Sequence, residues 1–461
     1  MHDSSPFSLT DVIFLVFSSV SVALMFLLGN EIGPGSLSST IFQSWFSVTL
    51  IFLLKRMKYT TQIFSPSFLA FIYLGLSYVC GSSIPQEYHV WLYNSALGRI
   101  EDFSLINGYL LICLSTIAVV SALELQCAKR VMENIDNRAA TTNVSLIFTS
   151  LFALIVSAFI DHYLMFGVRF GLAVIITVNL ARMRDPTFKA FGFAALLMVF
   201  LISSFQNKRE IILIIFLVSF TYSFTSQARL NFRPKNILIG TLIVGFLFIA
   251  ILAASISRGY GNFETGSPLE SVLLVGNYVS SPFFFRYFLE NVEIVHTYAS
   301  TVIAVDFAAR GDIPLQAGAT FIKPLFLPIP RDLFPLKPES AITIFTTAVD
   351  PEFAATGNSL PVTIPAEAFI NFHFAGPFFL VIIFLALERI FRAALRAQAH
   401  RLTLRGYSAI VFATLPLIMV RGGGFDLFVL TFLLSLPSYT LAAIFLAKKD
   451  RSMQYRSSVG R

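Results

Sequence analysis

The sequence predicts an all-α polytopic membrane protein of about twelve transmembrane helices, and three observations carry that expectation. The 461 residues are 56% hydrophobic and only 13% charged, with a mean hydropathy of +0.75, far from the roughly 25% charged usage of soluble domains. Apolar runs of about 20 residues, the length that crosses ~30 Å of hydrocarbon as a helix, recur along the whole chain. Lysine and arginine concentrate in alternate loops, as the positive-inside rule requires. The alternating ten-residue segments of a β-barrel are missing.

The first apolar run, 12–28, follows His2, Asp3 and Asp11 rather than a basic stretch, and no small-residue cleavage pattern closes it. It is therefore expected to remain as a helix. Runs bounded by charges or by Gly, Pro and Asn place five more helices at 37–54, 66–83, 104–124, 143–160 and 167–181. The last two are separated only by Asp161–Phe166, a spacing that also suits a re-entrant hairpin. Helices seven to nine fall at 188–205, 211–227 and 236–256, and ten to twelve at 366–388, 407–420 and 425–446. The chain thus divides into nine helices over 1–256, a large extracytoplasmic loop between helices 9 and 10 over 257–365, three helices over 366–446, and a basic tail over 447–461.

The charges fix an expected orientation with both termini cytoplasmic. That choice puts 22 of the 33 basic residues inside, among them Lys55-Arg56-Met57-Lys58, Lys129-Arg130, Arg389, Arg392, Arg396 and Lys448-Lys449, and leaves 11 outside. The net charge of +7 and the pI near 9.3 are explained by this loop asymmetry, so no nucleic-acid partner is expected. Cys80, Cys113 and Cys127 show neither metal-ligand spacing nor a stapling pattern. No disulfide, metal or cofactor is expected. The large loop alternates apolar islands such as Val272–Val275 and Pro282–Leu289 with charged stretches, and is expected to lie as a lid against the outer leaflet.

Topology alone would remove cations from the outer face, so those that stay carry information. They are Arg99, Arg169, Lys208, Arg209, Arg258, Arg286, Arg310, Lys323, Arg331, Lys337 and Arg421. Arg258 ends helix nine in Ser257-Arg258-Gly259, and Arg421 ends helix eleven before Gly422-Gly423-Gly424, where glycines permit close approach of a ligand. Guanidinium forks match phosphate oxygens and stay charged when partly desolvated, which points to a lipid diphosphate. Snorkelling to ordinary headgroups, or pairing with Glu210 and Asp426, is the alternative for any one of them. The segment Pro328-Ile329-Pro330-Arg331-Asp332-Leu333-Phe334-Pro335-Leu336-Lys337-Pro338-Glu339 is expected to be extended and stiff, holding two cations ready for an anion. Glu367 falls at the outer end of helix ten, where an acid also favours the helix dipole.

The run Pro330–Pro338, the Gly/Ser/Pro stretch after it, the Glu367, Asn371, Gly376 helix entry and the Lys208-Arg209 hairpin resemble bacterial oligosaccharide repeat-unit polymerases, the O-antigen polymerase family, and about a dozen helices with one late outer loop match that plan. The resemblance implies a glycosyltransferase of the cytoplasmic (inner) membrane. It would move a growing glycan from polyprenyl diphosphate to a sugar hydroxyl of another lipid-linked repeat on the outer face; the resemblance leaves open whether an inner-membrane partner protein sets chain length. On that reading Arg209, Arg258, Arg331, Lys337 and Arg421 bind the diphosphate, and their charge can stabilise the departing anion without a metal. Glu367 is the candidate base for the acceptor hydroxyl, with Glu339, Asp350, Glu352 and His373 as competitors. Ligases of the same plan differ only in acceptor. A flippase for lipid-linked sugars would want charges through the bilayer centre, and an acyltransferase a nucleophile or an acid–base histidine.

Overall fold

The computed structural model describes residues 9–86, 89, 91–133, 144–158, 165–181, 268–282, 293–327, 329–330, 332–399 and 416–440, with isolated positions at 183, 185, 187–188, 191–192, 194–195, 249, 252–253, 256 and 284. The described residues are helical, with no strand among them. Five helical stretches are long and apolar enough to cross a bilayer: Thr10–Leu28, Leu37–Arg56, Pro66–Ser83, Ser104–Val131 and Ile364–Arg396. The protein is a helical, multi-pass membrane protein. Helix eight and most of helices seven, nine and eleven of the sequence reading lie outside the described residues, and helices five, six and twelve are the shorter apolar helices Val144–Ser157, Gly167–Leu180 and Gly424–Thr440, so five candidate spans stand among the described residues where twelve are expected.

Of the first helices, α1 Leu9–Leu28, α2 Leu37–Arg56, α3 Pro66–Ser83, α6 Val144–Ala158 and α7 Met165–Ala181 begin and end close to where the apolar runs do, whereas α4 Trp91–Leu97 was not expected and α5 Ser104–Glu133 continues nine residues past its run. Local chemistry explains the ends. The Ser36 hydroxyl accepts the Ser39 N–H ahead of α2, and Pro66 opens α3 where its missing N–H costs nothing. α1, α2, α3 and α5 pack side by side around Trp45, Phe71, Leu74, Tyr78 and Tyr109, while α1 turns Val12, Ile13, Val16 and Val20 outward. Small residues set the closest approaches elsewhere, since a Cβ on Gly171 of α7 would stand 2.9 Å from Ser438 Cβ and 3.0 Å from the Ser435 carbonyl.

Contacts between these helices define two poles. At one, Asp11 at the start of α1 pairs with Arg56 at the end of α2, and Arg56 also donates to the Ala122 carbonyl at 3.3 Å. Gln62 donates to the Leu125 carbonyl at 2.7 Å, and Glu124 pairs with Arg392 at 2.8 Å. At the other, Asn107 near the start of α5 donates to the Gly29 carbonyl at 3.0 Å, and the Gly33 N–H reaches the Ser82 carbonyl at 2.8 Å. Lys55, Arg56, Lys58, Lys129, Arg130, Arg389, Arg392 and Arg396 belong to helix ends at or next to the first pole, which is therefore the basic one.

The segment 257–365, expected as a loop, holds short helices α8 Pro268–Leu273 and α9 Val275–Val279 and the 18-residue α10, Glu293–Arg310. α10 packs along α3 and is buried on nearly every face, from Val295 and Tyr298 to Val302, Val305 and Ala308. Its Thr297, Ser300, Thr301 and Asp306 break up the apolar run, which hides it from a hydropathy reading, yet each polar side chain has a use inside. Ser300 donates to the Pro361 carbonyl at 2.6 Å, Thr301 meets the Thr363 hydroxyl at 2.8 Å, and Asp306 pairs with Arg310. Part of the expected lid is thus core.

Further along come α11 Ala319–Ile322, α12 Ala341–Val349, α13 Pro351–Ala355, α14 Ile364–Phe372, α15 Gly376–Ala399, α16 Pro416–Arg421 and α17 Gly424–Thr440. Helix ten of the sequence reading is two helices. Pro377 cannot donate to the carbonyl of residue 373 and its ring would clash there, so the chain breaks at His373, whose φ is +48°. Gly376 then lets the Ala368 backbone approach to 3.1 Å of where a Cβ would stand. In an unbroken helix, residues eight apart are separated by about 12 Å; α14 is folded back against the start of α15.

Candidate functional site

The folded-back α14 is buried from Ile364 to Asn371 and lies at the pole opposite the basic one, tied to the start of α5 by the Tyr109 hydroxyl, which donates to the Pro365 carbonyl at 2.9 Å. Glu367 in its first turn is 1% exposed. A bare carboxylate at that depth would be costly, and this one is satisfied at both oxygens. Oε1 accepts the Thr320 hydroxyl at 2.7 Å and Oε2 accepts the Phe425 N–H at 2.9 Å. Phe425 is in the first turn of α17, so one carboxylate stands at the positive ends of two helices. Asn371, one turn on from Glu367, donates to the Thr320 hydroxyl at 2.7 Å and to the Glu367 carbonyl at 2.8 Å. Its Oδ1 is buried without a partner.

Beside this chain of bonds, Lys323 pairs with Asp426, each about 14% exposed or less. The two charges leave α11 and α17 next to the residues that hold Glu367. An aromatic wall closes the side, with Phe321 packed 4.5 Å from Phe379 and 5.4 Å from Phe425, centroid to centroid. Positive φ at Gly422 and Gly424 gives the turn between α16 and α17 a shape that side chains with a Cβ resist. In that turn Gly423 forms an isolated parallel bridge with Val362.

Of the sequence-predicted residues, the structure brings Glu367 and the Arg421 segment together through the Phe425 bond. Arg421 ends α16 and is partly buried. Lys337 lies elsewhere, folding over its own loop to donate to the Ile329 carbonyl at 3.1 Å and the Leu327 carbonyl at 3.4 Å. Arg209, Arg258 and Arg331 lie outside the described residues. The proline-rich segment is not extended. The Leu333 and Phe334 N–H groups both reach the Pro330 carbonyl at 3.2 Å, and the Phe326 and Phe334 rings stack at 5.4 Å. Proline fixes φ near the value of turns as well as of extended chain, and the ring stack selects the turns.

Comparison with known family profiles, curated proteins and solved structures finds no match to this chain. Its chemistry therefore has to be read from the residues. Sequence reasoning missed Thr320, named Asp426 only as an alternative partner for an outer arginine, and left Lys323 unassigned among the outer cations. Asn371 stood four residues from Glu367, a spacing that puts both on one helix face, and this was the available signal.

Proposed function

We propose that the protein is a glycosyltransferase that extends a lipid-linked glycan, taking the chain from polyprenyl diphosphate and passing it to a sugar hydroxyl of another lipid-linked repeat unit at the outer face of a bacterial cytoplasmic membrane. One observation supports it most: cations and a buried carboxylate are kept together at the pole opposite the basic one, where orientation rules would remove positive charge. By those rules the basic pole faces the cytoplasm and the Glu367 pole faces out.

In this reading the acceptor hydroxyl attacks the anomeric carbon of the donor, the bond from that carbon to the diphosphate oxygen breaks, and polyprenyl diphosphate leaves with the electron pair. Lys323 and Arg421 stabilise the growing negative charge, the diphosphate competing with Asp426 for Lys323. Arg209, Arg258 and Arg331 remain the proposed further cations, and Lys337 would have to release the Ile329 and Leu327 carbonyls to join them. The hydroxyl proton passes to Glu367. Both of its oxygens accept bonds in this arrangement, so that role requires the Thr320 hydroxyl to rotate away from Oε1 first.

The test is purified protein in detergent with EDTA, given synthetic polyprenyl-diphosphate-linked repeat units and its products run on a gel. A ladder of lengthening glycans is expected. Unchanged substrate with correctly folded protein overturns the reading, and supplying other glycan acceptors then separates a ligase from a transporter.

A further inference from the structure

Between Ile322 and Lys337 the chain leaves the bundle as a short finger. Its root is fixed at three points already described: Phe321 on Phe379, Thr320 in the Glu367 network, and Lys323 on Asp426. Beyond the root the chain closes on itself. The Ile329 N–H reaches the Phe326 carbonyl at 3.0 Å and the Lys337 N–H the Phe334 carbonyl at 3.1 Å, while the Lys337 ammonium bridges back to the carbonyls of Ile329 and Leu327. This closure holds apolar side chains outward. Leu325 and Leu333 are 77% exposed, Leu336 85% and Ile322 48%.

An outward cluster of leucines marks an interaction surface, and its neighbours show what covers it. The finger is rooted on α15, whose Phe378 and Ile382 are 77% and 63% exposed one turn apart. That is the stripe a membrane-crossing helix gives to acyl chains. Phe321 at the root packs on Phe379, the residue after Phe378, so the finger leaves the bundle next to that stripe.

We propose that this finger is immersed in the membrane, with Leu325, Leu333 and Leu336 among the acyl chains of the leaflet at the Glu367 pole. Its rigid root then sets the depth of the Lys323–Asp426 pair below the headgroups. The inference rests on the exposed leucines and α15, and stands whatever reaction the site performs.

The experiment places an environment-sensitive fluorophore at Leu333→Cys and, separately, at Leu336→Cys in the full chain, in a Cys80→Ser, Cys127→Ser background that leaves the buried Cys113. The protein is held in phosphatidylcholine–phosphatidylglycerol nanodiscs. Asn358→Cys, on an exposed polar turn, is the aqueous control. Both finger positions are expected to show blue-shifted emission, quenching by nitroxide-labelled lipid, and iodide quenching at least about threefold weaker than at the control. Iodide quenching equal to the control without lipid quenching overturns the proposal. So does shielding from both quenchers, which means that protein covers the leucines.

Discussion

Thr320→Val separates the Glu367 network from the packing around it. Valine keeps the shape and removes the hydroxyl, which donates to Glu367 at 2.7 Å and accepts from Asn371 at 2.7 Å. A hydrogen bond to a charged group contributes about 1.5–3 kcal/mol and a neutral one about 0.5–1.5 kcal/mol. Asn371 keeps its bond to the Glu367 carbonyl and Glu367 keeps the Phe425 N–H, so the loss is about 2–4 kcal/mol. Thr320→Ser retains the hydroxyl and removes one methyl, costing about 1 kcal/mol. The two variants therefore order oppositely to their volume loss. In a Cys80→Ser, Cys127→Ser background, Cys113, fully buried in α5, supplies the assay: a fluorogenic maleimide reacts with it as the purified protein unfolds on heating. Because Glu367→Gln alters the same cluster, the double variant with Thr320→Val is expected to lose less than the sum of the singles. Equal unfolding temperatures for Val and Ser, or full additivity in the double variant, would refute the network as the reason Glu367 tolerates burial.

Three further outcomes follow from the same structure. Lys323→Ala and Asp426→Ala should each destabilise by about 3 kcal/mol, each leaving a partly buried charge unpaired, and the double variant by clearly less than either sum; a thermal-unfolding double-mutant cycle without coupling contradicts the pair. Glu388→Ala should cost about 3 kcal/mol, since its Oε1 accepts the Ser67 N–H at 2.9 Å and the Ser65 and Ser67 hydroxyls at the start of α3, whereas Glu388→Gln keeps an acceptor and costs less; equal unfolding temperatures for the two exclude the cap. His89, 2% exposed, is pushed down to about 4 by burial and then by the neighbouring His296. Its folded value lies below the usual 6.5, so the unfolded chain takes the proton first and stability falls between pH 6.5 and 4, by about 3 kcal/mol in all. His89→Phe should flatten that slope, and a variant with the wild-type pH dependence of unfolding rules His89 out as its source.

What was legible in the sequence follows from which forces act locally. The ends of α1, α2, α3, α6 and α7 were readable because apolar length and helix caps are properties of neighbouring residues. α10 was not, since Thr297, Ser300, Thr301 and Asp306 look like loop residues until their partners at 361, 363 and 310 are known. The break at His373 left a trace in Gly376-Pro377, overridden in the reading by the long apolar run around it. Glu367 was legible as an acid at a helix start, but its satisfaction was not, because Thr320 lies 47 residues before it and Phe425 58 after. The compact turns after Pro330 show the same limit, since proline restricts φ without choosing between extended chain and turn.

The two buried glutamates of α14 and α15 explain why the break matters. Glu388 receives the first turn of α3 near the basic pole, and Glu367 receives the first turn of α17 at the other. Each carboxylate accepts a backbone N–H from the first turn of a different helix. Without the bend, α14 would continue the axis of α15 and place Glu367, nine residues before Gly376, about 13 Å from it along that axis, away from Phe425 and Thr320. The bend is therefore a condition for burying Glu367 with both carboxyl oxygens hydrogen-bonded. A Pro377→Ala change that restored a straight helix would be expected to free the Phe425 N–H and loosen α17 before it disturbed α3, a difference that site-resolved amide exchange at the two helix starts can measure.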